Sequence, residues 1–108
     1  MNFDEIIGFE WDEGNKDKNL LKHNVSSAEC EEVFYNDAYF AQAAKYSGGE
    51  KRYILFGKTD NGRELAVVFT VRRNKIRIIS ARDQNRKEKK FFHEKQDKET
   101  QNNTEVQE

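Results

Sequence analysis

The sequence predicts a single α+β domain: an antiparallel sheet of about four strands with two N-terminal helices and a C-terminal helix. Two features predict this fold. The middle of the chain alternates strand-like apolar runs with turn signals, and helix-start signals stand on either side of it. A chain of 108 residues suffices for one domain and not for two. We place the domain at residues 1–96 and a disordered tail at 97–108, which is polar and nearly free of apolar side chains.

The first helix is predicted over 13–23, after a short candidate strand over 9–12 that alternates apolar and acidic residues. Asp12 stands at the expected N-cap position, where its carboxylate can accept the first free backbone N–H groups. Asn24 is the expected terminator. The helix is weakly apolar, so it has little to bury.

The second helix has the clearer start. Ser26 and Glu29 form a capping box, in which each side chain binds the backbone N–H of the other residue. Val25 and Cys30 are placed to form the accompanying hydrophobic staple. The helix is expected to end at 36–37. Because Cys30 lies on the buried stripe, we interpret it as a core residue rather than a nucleophile.

Strands fill the middle of the chain. The run over 65–71 is unbroken apolar sequence, which is typical of a strand buried on both faces, so we place it centrally. The Asn-Gly pair within 60–62 predicts a type I′ hairpin turn, 73–74 predicts a second tight turn, and 45–50 reads as a loop. The predicted strands cover residues 38–41, 52–57, 65–71 and 75–81.

The last helix is predicted over 84–94. Asn85 and Glu88 form a second candidate capping box at its start. Phe91 and Phe92 are its expected anchors against the sheet.

Charge is unevenly distributed: the net charge is −7 over 1–50, +9 over 51–96 and −3 over the tail. A basic second half fits a nucleic-acid surface, and it fits equally well a fold in which the two halves neutralise each other. No apolar run approaches the roughly 18 residues of a membrane span. The acidic start lacks the basic region of a signal peptide, and one cysteine allows no internal disulfide. We therefore expect a cytoplasmic protein that does not act at a membrane.

Motifs for metal or cofactor binding are missing. His23 and His93 stand alone in the sequence, and no Gly-rich phosphate loop is present. One polar set remains on the first predicted helix. Lys16, Asn19, Leu20 and His23 follow the spacing of a shared helix face, which either binds phosphate or is simply solvated.

Arginine is the second candidate feature. Arg77 is expected to face outward beside Ile79 from the middle of a strand, with Ile76 and Ile78 on the opposite face. A strand holds the planar guanidinium rigidly, and its paired donors match phosphate oxygens. Arg82, just past the predicted strand end, is placed to join Arg77. The arginines on and after the strands are Arg52, Arg63, Arg72, Arg73, Arg77, Arg82 and Arg86.

Both ends of the predicted domain resemble the BrnT family of toxins. The match covers roughly Phe9 to Phe92, with Arg52, Gly57 and Thr70 also at family positions. Phe92 is a departure, because the family often has tyrosine there. The resembling segments are Phe9-Glu10-Trp11-Asp12, Lys16, Asn19 and Lys22-His23-Asn24-Val25 at the start, and Ile78-Ile79-Ser80-Ala81-Arg82 and Asn85-Arg86-Lys87-Glu88 at the end.

The resemblance implies a RelE-like fold, with helices packed on one face of an antiparallel sheet. It implies a metal-independent endoribonuclease that needs no cofactor and arrests translation by cleaving RNA. The implied partner is a BrnA-type antitoxin, and the complex of the two would repress its own promoter, with DNA contacts made chiefly by the antitoxin.

Such a ribonuclease uses the 2′-hydroxyl of the substrate as nucleophile, so it needs a proton acceptor and cations around the phosphate. We expect Arg77 and Arg82 to bind the phosphate and His23 to carry the proton, because imidazole titrates near neutrality. An alternative is a non-enzymatic or degenerate module that docks an antitoxin or RNA without cleaving it. The other expected RNA-binding residues are Lys16, Lys22, Arg52 and Arg86.

Overall fold

The structure, a computed structural model, describes residues 5–42 and 50–107. The described part contains five strands and three helices in one sheet-based domain. The predicted loop over 45–50 lies, except for Glu50, outside the described residues. In chain order the elements are β1 (Gly8–Phe9), α1 (Lys18–His23), α2 (Ser27–Glu32), β2 (Tyr39–Gln42), β3 (Tyr53–Lys58), β4 (Glu64–Arg72), β5 (Lys75–Asp83) and α3 (Arg86–Gln107).

The strands form one sheet in the order β1-β5-β4-β3-β2. Strands β2 to β5 pair antiparallel through consecutive connections, and β4 is central, as predicted. The expectation of about four strands, all antiparallel, is wrong for β1, which adds a fifth strand parallel to β5. No hairpin joins β1 to β5, so no tight turn dictates their relative direction.

Both predicted turns exist, but one has a different geometry. Arg73 and Asn74 connect β4 to β5 with φ values of 53° and 63°. Between β3 and β4, Gly62 has a φ of 87° while Asn61 is not left-handed, so the predicted type I′ turn is wrong. Gly62 N–H donates to the Thr59 carbonyl at 2.9 Å, and the longer connection needs only one left-handed residue.

A bulge in β5 sets which side chains share a face. Val68 pairs with Ser80 and Phe69 pairs with Ile78, so Ile79 is an extra residue in the ladder. Residues five apart on a regular strand point to opposite faces. The bulge restores the same face for Arg77 and Arg82. Arg82 lies inside β5 rather than past its end, because the strand continues to Asp83.

The two faces of the sheet differ in cover. The helix-covered face packs on α1 and α2. Helix α3 covers one part of the arginine face, where Phe91 contacts Tyr39 and Phe56 and Phe92 packs on Phe56 and Ala66. The helix-covered face carries the buried residues Leu55, Leu65, Val67, Phe69, Ile76, Ile78 and Ala81. The arginine face carries Ala66, Val68, Thr70, Arg77, Ser80 and Arg82.

Helix α1 starts later than predicted, at Lys18, so the predicted N-cap at Asp12 is wrong. The Asp12 carboxylate accepts instead from the Gly14 N–H at 2.8 Å. The buried Asn15 side chain holds the turn before α1 against β5, because it donates to the carbonyl of Ile78 at 3.2 Å. Asn24 ends the helix in the left-handed conformation, as predicted.

The other two helices confirm their predicted starts and correct their predicted ends. The capping box of Ser26 and Glu29 is present, and so is that of Asn85 and Glu88. Helix α2 ends at Glu32, before the predicted end at 36–37. Helix α3 runs past 94 to Gln107, through the segment for which the sequence predicts a disordered tail. That segment contains no Gly or Pro to stop a helix.

Helix α1 closes the outer edge of β5 with side-chain amides. Asn19 Oδ1 accepts from the Ala81 N–H at 3.0 Å, close to the Asn15 bond to Ile78. Both asparagines are buried. These bonds satisfy backbone groups that a sheet edge would leave open. No helix among residues 5–42 and 50–107 is long and apolar enough to cross a membrane.

Candidate functional site

Arginines converge at one end of the arginine face. Thr70 and Arg77 are directly paired across β4 and β5, and strand alternation places Arg72 on the same face. Arg52 immediately precedes the paired residue Tyr53, so it lies beside Thr70 on this face. The Thr70 hydroxyl donates to the Lys51 carbonyl at 2.7 Å, which fixes the chain at Arg52. We call Arg52, Arg72 and Arg77 the arginine cluster.

Arg77 is held by two carboxylates from the segment after β1. Its Nη1 lies 3.0 Å from Glu10 Oε1 and 2.8 Å from Asp12 Oδ2, and its Nη2 lies 3.0 Å from Asp12 Oδ1. The hydrogen bond to Asp12 is the main cause that raises the pKa of Arg77, and the same bond lowers the pKa of Asp12. Arg77 is therefore rigidly aimed, and an incoming phosphate must share it with these carboxylates or displace them.

Arg72 and Arg52 complete the cluster in different ways. Arg72 binds Glu50 through two donors, at 2.6 Å and 3.1 Å, and this bond is the main cause that lowers the pKa of the Glu50 carboxyl. Among the described residues, Arg52 forms no ion pair and its buried Nε has no hydrogen-bond partner. A buried guanidinium donor without a partner is costly, and an anion on this face would satisfy it.

Arg82 lies on the same face but at the other end of β5. Its guanidinium binds the two oxygens of Glu88 at 2.7 Å and 3.0 Å. This bond lowers the pKa of Glu88 and raises that of Arg82. At about 3.3 Å per residue, Arg77 and Arg82 are about 15 Å apart along the strand. The structure therefore does not bring these two arginines onto one phosphate.

His23 is the last residue of α1, at the Asp83 end of β5. Its carbonyl accepts from Arg63 Nη2 at 3.3 Å, and Arg63 also binds Asp83 with its Nε at 2.7 Å. His23 is therefore near the Arg82 end of the strand and far from Arg77. Lys22, in the same helix, is exposed, and so is Arg86, the first residue of α3.

The helix face predicted for Lys16, Asn19, Leu20 and His23 does not form. Lys16 lies in the turn before α1, because the helix begins two residues later. Asn19 is buried against β5 while Lys16 and Leu20 are exposed. Among the described residues, no group of three or more His, Cys, Asp or Glu side chains converges to hold a metal ion.

Sequence reasoning missed the carboxylates that bind the arginine cluster. Glu10 and Asp12 were seen only as strand and cap residues, and Glu50 only as the end of a loop. Their pairing with arginines 22 to 67 residues away is invisible in local patterns. Uneven charge between the two halves of the chain is the one signal that points to such pairing.

The geometry defines the class of protein. It is a small α+β protein with an open sheet face on which arginines are placed to bind phosphate groups. A family model described as "Ribonuclease toxin, BrnT, of type II toxin-antitoxin system" matches residues 11–88. The chain therefore belongs to the BrnT family of type II toxin–antitoxin ribonuclease toxins. No curated protein sequence matches the chain.

Proposed function

We propose that this protein is a metal-independent endoribonuclease toxin that binds RNA on its arginine face and arrests translation by cleaving it. The observation that carries the proposal is the arginine cluster at one end of an open sheet face, where the buried Nε of Arg52 has no hydrogen-bond partner in the described part of the chain. Strands β4 and β5 carry Arg72 and Arg77, and Arg52 directly precedes β3, so the fold places cations around a bound phosphate, which is what stabilisation of a crowded phosphorane requires.

In the proposed reaction the 2′-hydroxyl of the substrate attacks the adjacent phosphorus, its proton passes to the Glu10 carboxylate displaced from Arg77, and the 5′-oxygen leaves with a proton from water. Arg52 and Arg77 bind the non-bridging phosphate oxygens. The phosphate competes with the carboxylates of Glu10 and Asp12 for Arg77. It can do so because two phosphate oxygens, like two carboxylate oxygens, can accept both donors of a guanidinium. No metal or cofactor takes part in the proposed step.

His23 and Arg82 are proposed as the second catalytic group, at the other end of the same strand. Both adjoin Asp83: the Arg82 guanidinium donates to its carbonyl at 3.2 Å, and His23 shares Arg63 with its carboxylate. The imidazole is too far from Arg77 to take a proton at a phosphate bound there, so it is the proposed proton carrier only for a phosphate bound beside Arg82. RNA would then run along β5 between the two ends. The exposed residues Lys16, Lys22 and Arg86 are proposed as outer phosphate contacts.

Cleavage of RNA by the purified protein in EDTA tests this proposal. Because removing one oxyanion-stabilising donor slows such reactions by about 100-fold or more, Arg77→Ala and Arg52→Ala should each reduce the rate by that factor. Lys90→Ala is the matched control, since it removes one exposed cation from α3. Full activity of both arginine variants would show that the arginine cluster is not part of the catalytic site. The variants His23→Ala and Arg82→Ala test the second end separately.

The proposal includes a BrnA-type antitoxin as partner, promoter binding only through the toxin–antitoxin complex, a RelE-like relationship for the fold and action in the cytoplasm. Family membership supports a partner of the antitoxin kind. Induction of this protein alone should arrest growth, and co-expression of the antitoxin should relieve the arrest. Arrest that persists with the antitoxin present would contradict the pairing.

A second candidate function is a binding module that docks RNA or an antitoxin without cleaving it. The observation that favours it is that Arg77 and Arg82 are both neutralised by carboxylates within the protein. In that case the wild-type protein leaves RNA intact at protein concentrations that are high enough for binding, and Arg77→Ala changes only the affinity for RNA.

A further inference from the structure

Within residues 5–42 and 50–107, nothing covers the helix-covered face along its whole length. Helices α1 and α2 have six residues each and so span about 9 Å. Strands β4 and β5 have nine residues each and span about 30 Å. The sheet therefore extends well beyond its helices, and at that end an apolar hollow remains open.

This hollow has a volume of about 470 Å³. Two of its side chains are largely exposed, Ile7 at 73% and Tyr35 at 79%, and Phe40 is exposed at 37%. Contiguous exposed apolar surface of this kind marks interaction sites, whereas isolated exposed residues do not. We call this hollow the apolar groove; it is lined mainly by Ile6, Ile7, Phe9, Phe34, Tyr35 and Phe40.

The floor of the apolar groove is preformed. The ring of Phe34 packs edge-on against Phe9 at 5.3 Å and against Phe69 at 5.0 Å between centroids. These contacts tie the turn after α2 to β1 and β4. A binding partner therefore meets a hollow whose shape requires little reordering, which favours affinity.

An acidic hollow adjoins the apolar groove, and Tyr35 lines both. Asp37, Asp60 and one cation, Lys58, lie in its wall, which leaves a net charge of −1, and neither carboxylate forms an ion pair with any described residue. Asp60 is fixed by Asn36, whose Nδ2 donates to its Oδ1 at 2.8 Å, and by Glu32, whose Oε1 accepts its backbone N–H at 3.0 Å. These carboxylates disfavour RNA and favour a basic side chain.

We propose that the apolar groove and this acidic hollow form the docking surface for the antitoxin. The antitoxin segment would place large apolar side chains in the groove and a Lys or Arg beside Asp37 and Asp60. The inference rests on the proposed function, because toxin–antitoxin membership supplies the partner. A second copy of this chain fits less well, since a two-fold dimer would bring the same carboxylates toward their own copies.

The docking surface and the arginine cluster lie on opposite faces of the sheet. Val71 and Ile76, beside the groove, belong to the helix-covered face, whereas Thr70 and Arg77 belong to the other. Substitutions in the groove should therefore leave RNA cleavage unchanged while weakening the antitoxin complex. This separation makes antitoxin binding measurable independently of catalysis.

The test is titration of the full chain with the purified antitoxin from the same operon. Ile7→Asp and Tyr35→Asp should each raise Kd by at least about 30-fold, the effect of losing an interface hot spot. Leu21→Asp is the matched control, because Leu21 is an equally large residue, 84% exposed on α1 and outside the groove; its Kd should stay within about threefold. Asp37→Asn, at a left-handed position that Asn tolerates, should reduce the salt dependence of Kd.

Each other outcome is decisive. Unchanged Kd for the two groove variants, or an equal loss for Leu21→Asp, overturns the proposal, and so does a wild-type chain that does not bind the antitoxin. A dimer of the isolated chain that Ile7→Asp dissociates would identify a second copy as the occupant instead. If the wild-type protein binds the antitoxin but does not cut RNA, the nuclease proposal is contradicted and the docking proposal is unaffected.

Discussion

Neighbouring residues of one strand lie on opposite faces of the sheet, and the two faces differ in burial and in charge. Along β4, Leu65, Val67 and Phe69 are completely buried under the helices. On the arginine face Ala66 and Thr70 are also buried, but Val68 between them is only partly buried. One face supplies the hydrophobic core, and the other presents cations on an incompletely covered surface. An apolar strand therefore does not imply equal burial of its two faces, and stability and ligand binding are divided between them.

The largest expected effect compares two adjacent valines on opposite faces. Val67→Ala should lower the free energy of unfolding by about 2–3 kcal/mol, because it removes buried methyl groups and leaves a cavity. Val68→Ala should lower it by less than about 1 kcal/mol, because its side chain is partly solvated. Urea unfolding of both variants measures the difference. Equal losses would show that the arginine face is as well packed as the other.

The second comparison sets Arg63 on the helix side against Arg72 in the arginine cluster. Arg63 donates to the carbonyls of His23 and Asn24 and binds Glu29 and Asp83, so it joins both N-terminal helices to β5. Arg63→Ala should cost about 2 kcal/mol of stability. Arg72→Ala removes an exposed ion pair that solvent screens, so it should leave the urea unfolding midpoint nearly unchanged while Arg63→Ala lowers it clearly.

Acid titration sharpens this comparison. The Ser26 backbone bond chiefly lowers the pKa of Glu29, and the Arg63 bond lowers that of Asp83. Because both pKa values are lower in the folded state, the unfolded chain takes up protons first as the pH falls below about 4–5. The stabilisation is present above that range and is lost below it. Urea midpoints should therefore fall steeply below about pH 4.5 in the wild type and less steeply in Arg63→Ala.

A fourth prediction concerns the position at which this chain departs from the family pattern. Phe92 is completely buried against Phe56 and Ala66, so a tyrosine hydroxyl there would enter an apolar contact without an assured partner. Phe92→Tyr should lower stability by about 1–2 kcal/mol and should not increase RNA cleavage. Phe91→Tyr, at a position that is 37% exposed, should be close to neutral. A faster Phe92→Tyr enzyme would show that the hydroxyl reaches the substrate.

The smallest effect is expected at Cys30. Burial is the main cause that raises the pKa of its thiol to about 12, which leaves almost no thiolate at pH 8. The native protein should therefore not react with a thiol reagent such as DTNB, while the urea-unfolded chain should react fully. Rapid labelling of the native protein would show that the helix-covered face opens near α2.

The sequence by itself determined the features that depend on neighbouring residues. Capping boxes at Ser26 and Asn85, the left-handed end at Asn24 and the turn at Arg73 arise from side chains and backbone a few residues apart. The central position of β4 followed from its apolar composition, and the BrnT family from short local signatures.

Only the tertiary structure decided the features that join distant segments. They are the parallel docking of β1 on β5, the bulge in the β4–β5 ladder that puts Arg77 and Arg82 on one face, and the late start of α1, whose preceding turn is bonded to β5. The bonds from Arg77 to Glu10 and Asp12 span 67 and 65 residues. Local patterns report propensities of neighbouring residues, whereas such pairings arise only when the whole chain has closed around its core.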